Sequence, residues 1–435
     1  MTPLFSHSSL PTRVVRFPKI FGICSLLLIA LSPLHAQKKP AVLTGLDAVV
    51  AGNFSEFQGK RVGIITNHTG IDIERRHIAD LFHAAAGVKL VALFGPEHGI
   101  RGDAPAGAKI ATRTDPKTGV PAHSLYGEIH KPRPEMLKDI DVLIYDIQDV
   151  GARFYTYIST MALCMEAAAE AKIPFYVLDR PNPIGDVVEG PRLDPAHRSF
   201  VGLHPIALRH GMTVGELAQM FNGEGWLTTG PKESPQTIKV DLHVVQMQGW
   251  RHNMLFDETG LPWLSPSPNI TSLTTALVYP GTCLLEATNF SEGRGTNLPF
   301  EKIGAPWLDS QELIDKLQDR VGFIYLRPID FIPMDIPGKA MNPKFNGTGC
   351  RGLQLDVTVP RTYRAVSFGI HLLCTLHELY PKRFTIDEGR MARLSGQSWF
   401  CEMILAGEKP KAILQRMEKD VQAFRELRQK YLLYE

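Results

Sequence analysis

Glu97 is the residue in this chain best placed for acid chemistry, because it stands in Gly95-Pro96-Glu97-His98-Gly99 directly after the apolar run that ends at Phe94. A carboxyl there has low-dielectric sheet on one side and a crevice on the other, a setting that suits proton donation to a leaving group. The plain alternative is a solvated loop acid or a helix cap. His98 is the second candidate, against the habit of loop histidines to bond only backbone. Asp146 and Asp149 offer the partner carboxylate that glycoside hydrolysis ordinarily uses. Asp146 lies at a strand terminus, whereas Asp149 could equally cap the helix expected from about Phe154.

Arg101, Arg153 and Arg180 follow three of the polar strand ends. A guanidinium fork holds a carboxylate through two parallel hydrogen bonds, so an anionic substrate group is implied, although ion pairs with Asp146, Asp149 or Asp179 compete for at least one of them. Tyr155 and Tyr157 offer rings that stack on a sugar face or pack against the following helix. Asn67, His68 and Asn182 belong to the same strand ends and join the candidate substrate contacts. In the second half, the span from Glu286 to Thr296 crowds two acids, an arginine and glycines together. Glu292 and Arg294 in that span are candidates on a loop that closes the crevice, with a solvated turn as the alternative.

These residues need elements to position them. Four short hydrophobic runs, Arg61 to Ile65, Lys89 to Phe94, Val142 to Tyr145 and Phe175 to Leu178, each end in polar, Gly- and Pro-rich sequence. Helical periodicity lies between them: Ile78, Leu81, Phe82 and Ala85 share one face, and Phe154 to Ala171 is long and Ala-rich. Alternation of strand and helix predicts a Rossmann-like parallel α/β sheet over residues 41–275, in which ligands bind outside the carboxyl ends of the strands. All four polar ends are therefore expected around one site. Asp103 to Pro134 is a long Gly/Pro/Thr-rich excursion, and Leu261 to Asn269 cannot be regular structure. From about residue 276 the pattern becomes short strands followed by helices, a smaller α+β domain over residues 276–435. The last helix puts Ile413, Met417, Val421 and Phe424 on one packing face.

Length, charge and cysteines narrow the classes. At 435 residues the chain exceeds the size at which one core keeps growing. With 47 Lys+Arg against 45 Asp+Glu it carries no basic excess that would suit nucleic acid. Arg13, Arg16 and Lys19, the apolar stretch Ile20 to Leu31 and then Ser32 to Ala36 follow the layout of a secretory signal over residues 1–36. That stretch is shorter than the roughly 20 residues of a membrane span. An exported protein without a stable span is expected, periplasmic or extracellular. Cys164, Cys283, Cys350, Cys374 and Cys401 then remain, scattered among apolar neighbours like buried small hydrophobes.

Familiar nucleotide and hydrolase motifs fail. Gly347-Thr348-Gly349-Cys350-Arg351-Gly352 spells a dinucleotide fingerprint but precedes a strand, where the mechanism needs a helix. There is no phosphate-loop sequence, no Gly-x-Ser-x-Gly elbow and no His-Glu-x-x-His pair. A His68–His98 metal pair is a minority possibility.

With these residues in hand, the chain resembles the exo-β-N-acetylmuramidase family, the NamZ-type proteins. The resemblance rests on Thr66 to Gly70, Gly95 to Gly102, Tyr145 to Arg153, Leu178 to Gly185, Ser267-Pro268-Asn269, Tyr279 to Thr282 and Glu292 to Thr296. It implies a Rossmann-like domain joined to a smaller C-terminal domain with the active cleft between them, and removal of N-acetylmuramic acid from the non-reducing ends of peptidoglycan fragments, with no cofactor and no metal, and it places the family's glutamate on Glu97. Muramic acid carries a lactyl carboxylate for an arginine to hold, and its 2-acetamido group opens a substrate-assisted route. Two other classes stay open: a non-catalytic exported sugar- or muropeptide-binding protein, and a phosphoryl or acyl hydrolase on the same scaffold. Oligomeric state is not legible.

Overall fold

The four apolar runs fold as neighbouring parallel strands in a computed structural model that describes residues 41–97, 99–102, 113–231 and 234–435. The expected signal segment lies outside the described residues. In chain order the strands are β1 (Arg61–Thr66), β2 (Lys89–Gly95), β3 (Arg113–Thr114), β4 (Pro121–Ser124), β5 (Val142–Asp146) and β6 (Phe175–Leu178). A hairpin of β7 (Glu189–Arg192) and β8 (Ala207–Arg209) and a ribbon of β9 (Thr228–Thr229) and β10 (Gln236–Thr237) precede β11 (Leu242–Val245). One seven-stranded sheet runs β11-β6-β5-β1-β2-β4-β3. Every pairing in it is parallel except β3 on β4.

Continuous apolar sequence explains this sheet, because parallel strands are covered on both faces. Ile64 enters a core with Leu46, Ile78 and Phe82, and its neighbour Ile65 enters the opposite core with Tyr145, Met161 and Phe221. That is the two-residue period of a strand. The helices Ile78–Ala84 and Tyr157–Ala171 supply those covers. The excursion after Asp103 is partly structural: β3 and β4 extend the sheet edge, while residues 103–112 lie outside the described residues.

The change of pattern expected near residue 276 falls inside a helix, Leu273–Thr282, which keeps its turns through Pro280 near its end. Beyond it, β12 (Lys302–Ala305), β13 (Ile324–Phe331) and β14 (Cys350–Val357) make an antiparallel sheet in the order β12-β14-β13. The stretch Gly347 to Gly352 leads into β14, as its sequence context requires. Helices Ala365–Leu379 and Pro410–Arg428 follow, and Ile413, Met417, Val421 and Phe424 are buried. One apolar cluster continues from Tyr145 and Tyr157 through Leu277 and Leu353 to Phe424, and all the described residues belong to one compact unit. The five cysteines in it are buried free thiols.

The helix Leu273–Thr282 carries a wall of the site, and its placement depends on a close crossing with Ala365–Leu379. A Cβ at Gly281 would stand 2.0 Å from the Ala365 carbonyl oxygen, and one at Gly369 would stand 2.8 Å from the Gly281 oxygen. Backbone meets backbone there, so neither neighbour can yield. Gly281→Ala is expected to cost about 1–3 kcal/mol through overpacking. The midpoint of urea unfolding measures it, and an unchanged midpoint would show that the crossing is looser than described.

Candidate active site

Three of the four polar strand ends are tied to one another. Asp146, at the end of β5, is fully buried and takes both arms of Arg180: Nε at 2.5 Å and Nη2 at 2.9 Å. Burial raises the Asp146 carboxyl, and the Arg180 charge opposes that rise. Thr66 Oγ1 at the end of β1 donates to the Asp146 carbonyl at 2.9 Å, and Gln148 Nε2 donates to the Pro181 carbonyl at 2.7 Å. Asp179, after β6, accepts from Thr213 Oγ1 at 2.7 Å, Gly215 N at 2.8 Å and Tyr434 Oη at 2.6 Å. The sheet order reverses between β1 and β5, the usual binding crevice of such a sheet. Here only a hollow of about 30 Å³ remains beside it.

The β2 end behaves differently. Glu97 lines a cavity of about 210 Å³ with Tyr126, Tyr155, Tyr157, Asn269, Glu286 and Arg294, a volume on the scale of one sugar unit. Burial, then the charge and hydrogen bond of Glu97, push the Tyr126 phenol up to about 12. Asn269 comes from the irregular Leu261 to Asn269 stretch and donates from Nδ2 to the Lys339 carbonyl at 2.9 Å. Tyr279, from the helix Leu273–Thr282, and Phe300 add aromatic walls.

Glu286 and Arg294 form the charged end. Arg294 reaches Glu286 Oε1 through Nε at 3.1 Å and Nη2 at 2.8 Å and lies 5.1 Å over the Phe300 ring. Arg390 approaches the second Glu286 oxygen at 3.3 Å. Glu292 is held by Lys344 at 2.9 Å and lies 3.8 Å from Arg294. Burial works to raise Glu286, but the charge and hydrogen bonds of Arg294, with Arg390 and Lys344, hold it below its ordinary value. Three cations face two carboxylates in this group, of which Arg294 and Glu286 line the cavity. Gly293 and Gly295 make the turn possible. Both have left-handed φ, 79° and 81°, and a Cβ on Gly293 would stand 2.1 Å from the Lys302 carbonyl oxygen.

The other candidates are placed as follows. Asp149 neither lines the cavity nor caps the helix, which starts only at Tyr157: its Oδ2 accepts from Gly151 N at 2.7 Å and lies 3.5 Å from His210. Asp146 is committed to Arg180. Arg101 forks onto Asp80 and Asp115 at 2.7 and 2.9 Å. Arg153 is buried and gives two hydrogen bonds to the carbonyls of Pro191 and Ile206 and two to those of Leu394 and Ser395, at 2.7–3.0 Å. Asn182 donates to the Met212 carbonyl at 3.1 Å. Asn67 holds Thr69, and His68 meets the Ser265 carbonyl at 2.8 Å, with its imidazole lowered by burial. His98 lies outside the described residues. Tyr155, Arg294 and Glu97 are thus gathered at one cavity. Tyr126, Asn269 and Glu286 join them without having been singled out from sequence. Only the crowding of acids around Arg294 pointed toward Glu286.

Residues 62–274 match the family described as "Exo-beta-N-acetylmuramidase NamZ, N-terminal", and residues 277–434 match its C-terminal counterpart. The chain is 46% identical over 403 residues to the peptidoglycan beta-N-acetylmuramidase NamZ of Bacillus subtilis (strain 168), covering 92% of this chain and 93% of that protein. It is also similar to two crystal structures of DUF1343 family proteins from Bacteroides fragilis NCTC 9343. One is 37% identical with a TM-score of 0.83, covering 92% of this chain and 100% of that one. The other is 35% identical with a TM-score of 0.72, covering 91% and 99%.

The tied strand ends carry a pH signature. Burial, opposed by the Tyr434 hydrogen bond and reinforced by the charge of Glu216, raises Asp179 to about 6. The folded chain then holds this proton more tightly than the unfolded chain, whose value is about 4. Its stabilisation is complete below that value and is lost as pH rises through about 6. Asp179→Asn is expected to flatten the fall in stability between pH 5 and 7, measured as about a kcal/mol or more by urea unfolding. Parallel pH profiles for variant and wild type would refute this.

Proposed function

Because the chain belongs to the NamZ family of exo-β-N-acetylmuramidases, we propose that Glu97 is the general acid of a glycosidase that removes N-acetylmuramic acid from the non-reducing ends of peptidoglycan fragments. The observation that carries the assignment is the position of Glu97 on the wall of a cavity that also bears Arg294. The Arg294 guanidinium on the same wall suits the lactyl carboxylate of muramic acid.

In the reaction we infer, the Glu97 carboxyl gives its proton to the glycosidic oxygen as the bond from that oxygen to the anomeric carbon breaks. The carbonyl oxygen of the 2-acetamido group bonds to the anomeric carbon from the opposite face. Glu97, now a carboxylate, takes a proton from water as that water attacks the anomeric carbon and the amide is restored. Asp146, neutralised by Arg180, has no part in this scheme. Glu286 is locked between Arg294 and Arg390 and orients the arginine instead of attacking. The basic, apolar and small-residue order of the first 36 positions supports export, which would bring the enzyme to cell-wall saccharides in the periplasm or outside the cell.

Glu97→Gln is expected to lower kcat on a muramic acid–glucosamine disaccharide by roughly 10²–10⁴-fold. The loss should be much smaller on an aryl muramide whose leaving group needs no proton. Equal losses on both substrates would remove the general-acid assignment. Arg294→Lys keeps the charge but not the fork, and its effect should fall on KM. We expect roughly a tenfold rise for muramides and little change for the matching N-acetylglucosaminide, compared by steady-state kinetics.

A further inference from the structure

Tyr126 is set beside Glu97 by the sheet itself. Strand β4 pairs with β2 so that Ser124 stands opposite Gly95, and the Leu125 amide donates to the Gly95 carbonyl at 2.8 Å. Glu97 and Tyr126 each lie two residues beyond that matched pair, and both, half-buried, open onto the same cavity. The phenol is hydrogen-bonded to the Glu97 carboxyl. Its ring is held by two others: His130 meets it edge-on with centroids 6.2 Å apart, Phe200 lies at 6.4 Å, and those two pack on each other at 4.1 Å.

Burial and then Glu97 push the phenol up to about 12, against the pull of Arg294, so Tyr126 keeps its proton to give. A protonated carboxyl has one oxygen that carries hydrogen and one that only accepts. With Tyr126 giving to one oxygen, the acid proton of Glu97 is left on the other. Once that proton has gone to a leaving group, the same bond is charge-assisted and roughly doubles in strength. An interaction that strengthens as the reaction proceeds is the kind that speeds it.

The other titratable groups on this wall are Glu286 and Arg294, which bind one another, and Tyr155, Tyr157, Tyr279 and Cys283, which burial keeps protonated. On β4, His123 packs on Phe94 at 5.3 Å, and burial lowers its imidazole.

We propose that Tyr126 is the positioning residue of the general acid: its hydroxyl donates to one oxygen of Glu97, leaves the transferable proton on the other, and stabilises the carboxylate that forms as the glycosidic bond breaks. The inference rests on the muramidase reading above and adds how the acid is aimed.

The test uses Tyr126→Phe, which keeps the ring against His130 and Phe200 and removes the donor. Withdrawing a donor from a carboxylate favours its protonated form. The alkaline limb of the kcat/KM profile on a muramic acid–glucosamine disaccharide should therefore move up by about one pH unit. On the plateau of that profile kcat should fall roughly 10- to 100-fold, against about threefold or less on an aryl muramide whose leaving group needs no proton. A residue that only shapes the wall would leave the limb in place and slow both substrates alike, and either result overturns the proposal. Such a result alongside wild-type cleavage of the disaccharide sinks the role of Tyr126 alone. If wild-type protein cleaves neither substrate, the muramidase reading itself falls, and this assignment with it.

Discussion

The Asp146–Arg180 ion pair decides where this protein can put a substrate. An open parallel sheet offers its natural crevice where the strand order reverses, here between β1 and β5. A buried carboxylate stands at that point, and a lone charge there would be costly enough to demand a partner. Arg180 arrives from the next strand end and satisfies it with two short bonds. The pair closes the crevice from within. The larger cavity lies instead at the neighbouring β2 end, where Glu97 forms part of the wall.

Residues around and beyond 270 supply other parts of that wall. The helix Leu273–Thr282 sets Tyr279 on the wall, the turn through Gly293 and Gly295 presents Arg294, and the stretch before the helix contributes Asn269. The resulting cavity carries aromatic rings, the carboxyls of Glu97 and Glu286 and the guanidinium of Arg294. Neither half of the chain holds all of them.

Much of this was legible in the sequence because strands and helices announce themselves by periodicity. The β1, β2, β5 and β6 strands coincide with the apolar runs, and the last helix buries the residues its spacing marks. Glu97 was legible for the same reason, as an acid at the mouth of an apolar strand. The arginines were harder. Arg101, Arg153 and Arg180 look alike beside their strand ends, and their fates depend on partners up to some 240 residues away, such as Ser395 for Arg153. Asp146 was the better strand-end acid by position, but position alone does not reveal that Arg180 folds back upon it. Tyr126 was hidden because it reaches Glu97 through the pairing of β4 on β2, and Glu286 because it comes from the later half of the chain.

Arg153 spans that closure. Burial pushes its guanidinium down to about 9, with the charge of Asp420 pulling the other way, and its four bonds divide evenly between carbonyls at Pro191 and Ile206 and carbonyls at Leu394 and Ser395. Parting these segments would strand four acceptors and a cation at once, so the regions cannot melt one after the other at low cost. Heat should therefore take the whole protein apart in a single cooperative transition, and the cavity at Glu97 would keep its shape until that transition begins.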